Sequence, residues 1–285
     1  MVGLFLREKR TEAVRNNAST IRPVSCGRVI ALHCSGASAA QWRELGTMLG
    51  GGYELTAPEH YGGNITGPWT GEHVFALADE AERTIDLIDG DRRPVHPVGH
   101  SYGGGVALHV ALRRPHAIAS LTLYEPSAFH LLREIGAAGV EPFAEIEGIA
   151  RETGTRVTMG DYRGAAARFV DYWGGKGAWD ILLPHQQLAL VRWAPKAPLD
   201  FAALIEEPSG PDGYAALHIP VLIMRGEYAP KPTRVVAERL TALLPDARLV
   251  VIAGAGHMGP FTHGREVNAL IALHVSAVHL RISQL

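Results

Sequence analysis

Two spacings of apolar residues alternate along this chain. Arg28 to Cys34, Tyr53 to Pro58, Val95 to Val98, Ser120 to Tyr124, Ile219 to Arg225 and Arg248 to Ala253 are short, mostly apolar runs. Runs of this length, bounded by loop-forming residues, predict buried strands. Between them, apolar positions recur at helical spacing. Trp42, Leu45 and Leu49 share one face of a helix predicted over Ala40 to Leu49. Val74, Leu77, Ala78, Ala81, Ile85 and Ile88 do the same over Glu72 to Ile88. Further helices are predicted over Val106 to Leu112, Thr233 to Leu244 and Val267 to Leu280. Strand and helix in strict alternation imply a parallel sheet covered on both faces.

The alternation breaks between residues 127 and 215. That stretch has helical segments and no clear strand, and carries Phe129, Phe143, Tyr162, Phe169, Tyr172, Trp173, Trp179, Trp193 and Phe201. Aromatics at helical spacing are most often core, and a subset is a candidate lining for an apolar pocket. The expected organisation is an α/β core of residues 1–126 and 216–285 with a helical insertion, 127–215, after the strand ending near Tyr124. Residues 1–27 are poorly patterned.

Composition narrows the setting. A net charge of −2 without a basic stretch gives no nucleic-acid footprint. Two cysteines, Cys26 and Cys34, make no disulfide framework and point to a reducing compartment. Arg7, Glu8, Lys9, Arg10, Glu12 and Arg15 interrupt any signal-peptide core. No apolar run reaches membrane-spanning length. A soluble, cytoplasmic protein that binds neither nucleic acid nor membrane is expected.

The candidate chemistry begins at Gly99-His100-Ser101-Tyr102-Gly103. Gly-x-Ser-x-Gly alone is weak evidence in a chain with 32 glycines. Here a strand precedes it and a helix follows, which predicts a nucleophile elbow with Ser101 at a strained apex. Gly99 and Gly103 avoid collisions with the neighbouring strand and helix. A serine hydroxyl needs a base. His257, in the glycine-rich loop after the last strand, opens on the same sheet edge as the elbow and is the candidate, with His263 as the spare. Backbone N–H groups of Tyr102 and Ser35 are the candidates for an oxyanion hole. His33 is expected to pin that loop, and Cys34 to be a packed thiol. Trp69, Phe129, Trp173, Trp179 and Met258 are candidate pocket residues. Gly103-Gly104-Gly105 lacks the Lys of a phosphate loop, and His257, His263 and Glu266 fit no zinc spacing, so no metal is expected.

Leu32-His33-Cys34-Ser35-Gly36, Gly99-His100-Ser101-Tyr102-Gly103-Gly104 and Gly254-Ala255-Gly256-His257 together resemble the α/β-hydrolase family over roughly residues 28–280. The resemblance implies a mostly parallel, doubly wound sheet of eight strands, a cap matching the insertion, a Ser-His-acid triad and no cofactor. The chain has little room for the first two strands. It also departs at Cys34, where the family usually has glycine, and at Ala229, where the family's aspartate is expected. Two glutamates are candidates for the acid. Glu125 follows the strand Ser120 to Tyr124, where some members, including certain haloalkane dehalogenases, carry theirs. Glu227 lies two positions before the vacant place. Glu125 ranks first, Glu227 is the alternative, and a dyad without an acid is a third arrangement. Serine at the elbow, rather than aspartate, argues against dehalogenase and epoxide hydrolase chemistry. The expected activity is hydrolysis of a small-molecule carboxylic ester through an acyl-enzyme. Lactonase, thioesterase, C–C hydrolase and perhydrolase activities use the same parts, and a ligand-binding scaffold with weak catalysis is the reading from another class.

Overall fold

The structure is a computed structural model, and it describes residues 27–63 and 66–282. Cys26 and any edge strand before residue 27 lie outside the described residues. Among the described residues six parallel strands form one sheet: β1 (Gly27–Leu32), β2 (Tyr53–Thr56), β3 (Val95–His100), β4 (Leu121–Tyr124), β5 (Val221–Gly226) and β6 (Ala247–Ile252). Their order is β2-β1-β3-β4-β5-β6. The register aligns Leu32 with Gly99 and His100 with Tyr124, so the strands end together near the elbow.

Period-two side chains divide the core into two layers. Ile30, Leu32, Leu121, Leu123, Val221 and Ile223 face one way and pack under α2 (Leu77–Asp89), α3 (Tyr102–Arg113) and, C-terminal to β5, α9 (Lys231–Leu243). Val29, Ala31, Leu222 and Met224 face the other way, against α1 (Arg43–Leu49) and α11 (Gly264–Ile282). Val267, Ile271 and Val275 place one stripe of α11 in that layer. Each such side chain contributes about 1.5–3 kcal/mol on full burial. Because both faces are covered, the strands read as continuous apolar runs rather than alternating ones.

Between β4 and β5 the chain forms helices: a 3-10 turn (Phe129–Ile135), α4 (Ala137–Thr158), α5 (Tyr162–Gly174), α6 (Pro184–Trp193), α7 (Ala197–Ile205) and α8 (Pro211–Ala215). The short helix α10 (Gly259–Thr262) precedes α11. The largest shift of a predicted boundary is at the start of α2. The helix expected from Glu72 begins at Leu77, and Val74 is 86% exposed. Asp79 explains the late start: its carboxylate accepts the Ala76 N–H at 2.8 Å and caps the helix there. Helical spacing cannot register such a cap when the apolar residue upstream happens to fall in phase.

The chain order sets the position of the site. β1 leads through α1 outward to β2, and α2 then returns across β1 to β3. The loops leaving β1 and β3 therefore diverge, and the crevice between their carboxyl ends is the topological switch point of the sheet.

Candidate active site

Ser101 follows β3 directly and caps α3 with φ 54° and ψ −116°. Its backbone is held from three sides. Ser101 N–H donates to Tyr124 O at 3.0 Å, and Ser101 O accepts from Gly104 N and Ser127 N. The turn requires close approach on both flanks. A Cβ on Gly99 would lie 2.4 Å from Gly103 O, and one on Gly103 would lie 2.3 Å from Leu32 O. The other non-glycine residue with positive φ among the described residues is Glu125, at 41°. Strain at these two positions marks the segment where β3 and β4 leave the sheet.

His257 brings the two together. Its Nε2 lies 3.0 Å from Ser101 Oγ and its Nδ1 lies 2.7 Å from Glu125 Oε2. All three are buried, with Ser101 6%, His257 2% and Glu125 0% exposed. Glu125 is supplied with further donors. Gly226 N–H reaches Oε1 at 2.9 Å, and the Thr233 hydroxyl reaches Oε2 at 2.8 Å. Such a set of donors offsets the cost of burying a carboxyl group. With Nδ1–H donated to the carboxylate, Nε2 carries the free lone pair that faces Ser101.

Glu227 lies elsewhere. It is exposed and accepts the Gly254 N–H at 2.9 Å, which ties the loop carrying His257 to the end of β5. His263 bonds Thr262 Oγ1 at 2.9 Å on the surface side of α10. Ala229 is buried and offers no acid.

The loop after β1 is pinned by histidines. His33 Nδ1–H donates to Cys34 O at 2.8 Å, and His33 Nε2 accepts the His60 N–H at 3.3 Å. Burial, and then His60 beside it, holds the His33 imidazole below its ordinary pKa despite Glu59. Burial raises the Cys34 thiol to about 12, so it is a packed neutral group. Tyr102 opens α3, so its N–H has no acceptor within the helix. A second chain of bonds joins this loop to His257. Cys34 N–H donates to Gln41 Oε1, Gln41 Nε2 to His100 Nδ1, and His100 Nε2 to His257 O at 2.9 Å. Burial, then the nearby His257, keeps His100 well below its usual pKa, which suits a neutral ring that accepts at one nitrogen and donates at the other.

The candidate pocket residues fall in three places. Trp173 lies over the His257 ring, 4.1 Å between centroids, and Phe129 stacks on Trp173 at 6.4 Å. Met258 is half-buried against the same cluster. Trp69 packs with Tyr61 and Phe75 beside α2. Trp179 belongs to neither place. It sits with Ala165, Ala166 and Ala194 in a separate small core of the helical segment, with Arg163 over its ring. Its aromatic character reflects helix packing, which sequence spacing alone does not distinguish from a pocket wall. An open groove of about 1010 Å³ runs along α4 and α5, lined by residues including Glu145, Glu152, Arg156 and Arg168. It holds none of the residues above, and its walls are surface ion pairs.

Several residues of the site carry no signal in the sequence. Thr233 and Gly226 reach Glu125 across more than a hundred positions. Ser127 Oγ lies 3.3 Å from Ser101 Oγ. Lys196, Glu80 and Asp200 form a buried ion cluster beside Tyr102. Only the i, i+4 spacing of Lys196 and Asp200 is visible locally.

This sheet order, elbow and histidine loop agree with a family match over residues 29–270 to the alpha/beta hydrolase family. The chain belongs to that family. A stretch of the polyketide synthase ThaQ of Burkholderia thailandensis is 30% identical over 250 residues. That match spans 83% of this chain but only 11% of the relative, so the chain corresponds to about a tenth of that protein. An esterase from Thermogutta terrifontis has a similar structure, with TM-score 0.67 and 18% identity over 89% of this chain and 90% of that one. An enol-lactonase from Burkholderia xenovorans superposes with TM-score 0.67 and 15% identity, covering 88% of this chain and 91% of that one. At these identities the two structures show the shared fold alone. Among the described residues no helix is long and apolar enough to cross a membrane.

Proposed function

We propose that this protein is a serine hydrolase that cleaves a carboxylic ester of a small, largely uncharged molecule. The observation that carries the reading is the continuous buried chain from Ser101 Oγ through both nitrogens of His257 to Glu125. In the proposed reaction His257 Nε2 takes the Ser101 proton as Oγ attacks the acyl carbon. The N–H groups of Ser35 and Tyr102 hold the tetrahedral oxygen. The carbon–oxygen bond to the alcohol breaks, and His257 returns the proton to that alcohol. Water then adds to the acyl-enzyme, giving its proton to His257, and Ser101 is regenerated as the acid leaves. Glu125 fixes the imidazole orientation and stabilises its protonated form. Trp173 and Met258 supply apolar surface for the acyl group, Phe129 backs Trp173 from the core, and residues 127–215 act as the cap that bears much of it. Lys196, the buried cation of this region, is already engaged by two carboxylates, which favours an uncharged substrate.

The 30% match to part of a polyketide synthase raises a second reading, hydrolysis of an acyl thioester by the same three residues. Relative rates on p-nitrophenyl esters and acyl thioesters of matched chain length separate the two. The common step is tested by intact-mass measurement after fluorophosphonate treatment, with peptide mapping. One adduct on Ser101, lost in Ser101→Ala together with ester turnover, is expected. An unmodified folded protein would count against an activated serine and in favour of a binding scaffold.

A further inference from the structure

The two residues whose amides form the proposed oxyanion hole are joined through their side chains. Ser35 Oγ–H donates to Asp200 Oδ2 at 2.6 Å. Asp200 Oδ1 accepts from Lys196 Nζ, and Lys196 Nζ donates onward to Glu80 Oε2 at 2.9 Å. Glu80 Oε2 accepts the Tyr102 hydroxyl at 2.9 Å, while Glu80 Oε1 accepts the Tyr61 N–H. The path from Ser35 to Tyr102 is thus closed by one ammonium between two carboxylates. Lys196 is 5% exposed, and its Nζ also lies over the Tyr102 ring at 4.5 Å.

A buried cluster of this kind is a poor source of stability, since desolvation of three charges offsets their attraction. Its value lies in directionality, because each partner is fixed by charge-assisted bonds. The charges are retained in place. Burial opposes the Lys196 charge, but Asp200 and Glu80 more than offset this and raise its pKa. Burial likewise opposes ionisation of Glu80, yet His60 and Lys196 hold its carboxyl well below the ordinary range. The parts also come from different regions. Asp200 lies in α7 and Lys196 immediately precedes it, whereas Ser35 follows β1, Glu80 lies in α2 and Tyr102 begins α3.

We propose that Lys196, Asp200 and Glu80 are positioning residues that set the Ser35 and Tyr102 amides at the spacing an oxyanion requires, so that the hole is aligned only when the helical segment is seated. This rests on the serine-hydrolase reading above. Asp200 is the arm that reaches the loop, and Lys196 is the joint between the two carboxylates. Lys196→Met would strand both carboxylates and mix folding with function, so milder variants carry the test.

Ser35→Ala removes one hydroxyl and keeps the amide. Asp200→Asn leaves Lys196 paired with Glu80. Each is assayed with p-nitrophenyl butyrate and titrated with phenylboronic acid, whose serine adduct is tetrahedral, beside the parent and Ser101→Ala. Outright loss of an oxyanion donor costs about 100- to 1000-fold in kcat. Misalignment should cost less: kcat lower by about 10- to 100-fold, KM within about two-fold, and boronate affinity weakened in parallel with kcat. Ser35→Thr, which restores the hydroxyl, should recover kcat to within about three-fold. If Asp200→Asn does not fold, the two Ser35 variants decide. A folded Ser35→Ala with parental kcat and boronate affinity overturns the positioning role while leaving the hydrolase reading intact. Absence of Ser101-dependent turnover in the parent overturns both.

Discussion

At the level of single residues, the site is decided by which acidic side chain can reach an imidazole. Glu125 and Glu227 lie at the ends of neighbouring strands, β4 and β5, and both follow apolar runs. Glu125 turns inward at a positive φ and meets three donors: His257 Nδ1, Gly226 N and Thr233 Oγ1. Glu227 turns outward and accepts one loop amide. Glu125→Gln should therefore lower kcat by about 10³- to 10⁴-fold, by analogy with loss of the acid in a serine triad. Glu227→Gln should stay within about three-fold, as expected for an exposed position. Steady-state kinetics on one activated ester checks both, and the reverse ranking would assign the acid to Glu227. The aspartate position expected from the family resemblance is occupied by Ala229, so motif matching alone leaves this role open. A carboxylate supplied from the preceding strand end is chemically equivalent if its donors converge.

Among elements, the β3–α3 junction tolerates the least change. The α3 helix packs so tightly on β1 that a Cβ at Gly103 would meet Leu32 O at 2.3 Å and His33 O at 2.6 Å. Backbone cannot yield there as a flexible side chain could. Gly103→Ala should cost about 3 kcal/mol, at the upper end of overpacking effects, and displace the loop that holds Ser35. Gly148, inside α4, has open space around its Cβ direction. Gly148→Ala should stabilise the fold by about 0.5–1 kcal/mol through helix propensity. Urea denaturation of the two variants checks the contrast, and equal midpoints would argue against the steric account. The strands were legible because both faces of the sheet are buried, which makes each strand a continuous apolar run. The start of α2 was not, because the Asp79 cap overrides the apolar phase that continues to Val74.

For the whole molecule, buried histidines give stability a pH dependence. His96 is held at about 4 by burial, then by His274 and His279 nearby. His274 is likewise held at about 4 by burial, then by Arg248. The unfolded chain takes up these protons near pH 6.5, whereas the folded chain takes them up only near pH 4. Between those values the unfolded state binds more protons, so acidification destabilises the fold. At pH 5 the loss is on the order of 2 kcal/mol for each of the two histidines. His100 and His33 shift in the same direction and add to it. The urea midpoint should fall steadily from pH 7.5 to pH 5. A flat midpoint over that window would show that these imidazoles gain no charge on unfolding.

The sequence by itself determined what local forces control. Strands and helices follow from apolar period, the elbow from glycines flanking Ser101 between a strand and a helix, and the histidine loop from its place after the last strand. Parallel order then brings loops from distant positions to one edge. Tertiary structure alone decided what depends on direction. It turned Glu125 inward and Glu227 outward, placed Trp173 over His257 and Trp179 in a separate core, and joined Lys196 to Glu80 across 116 residues. The reason is physical. Burial and period are properties of a segment, whereas a hydrogen bond or an ion pair requires two side chains to meet within about 3 Å, and that meeting is fixed only once the whole chain has packed.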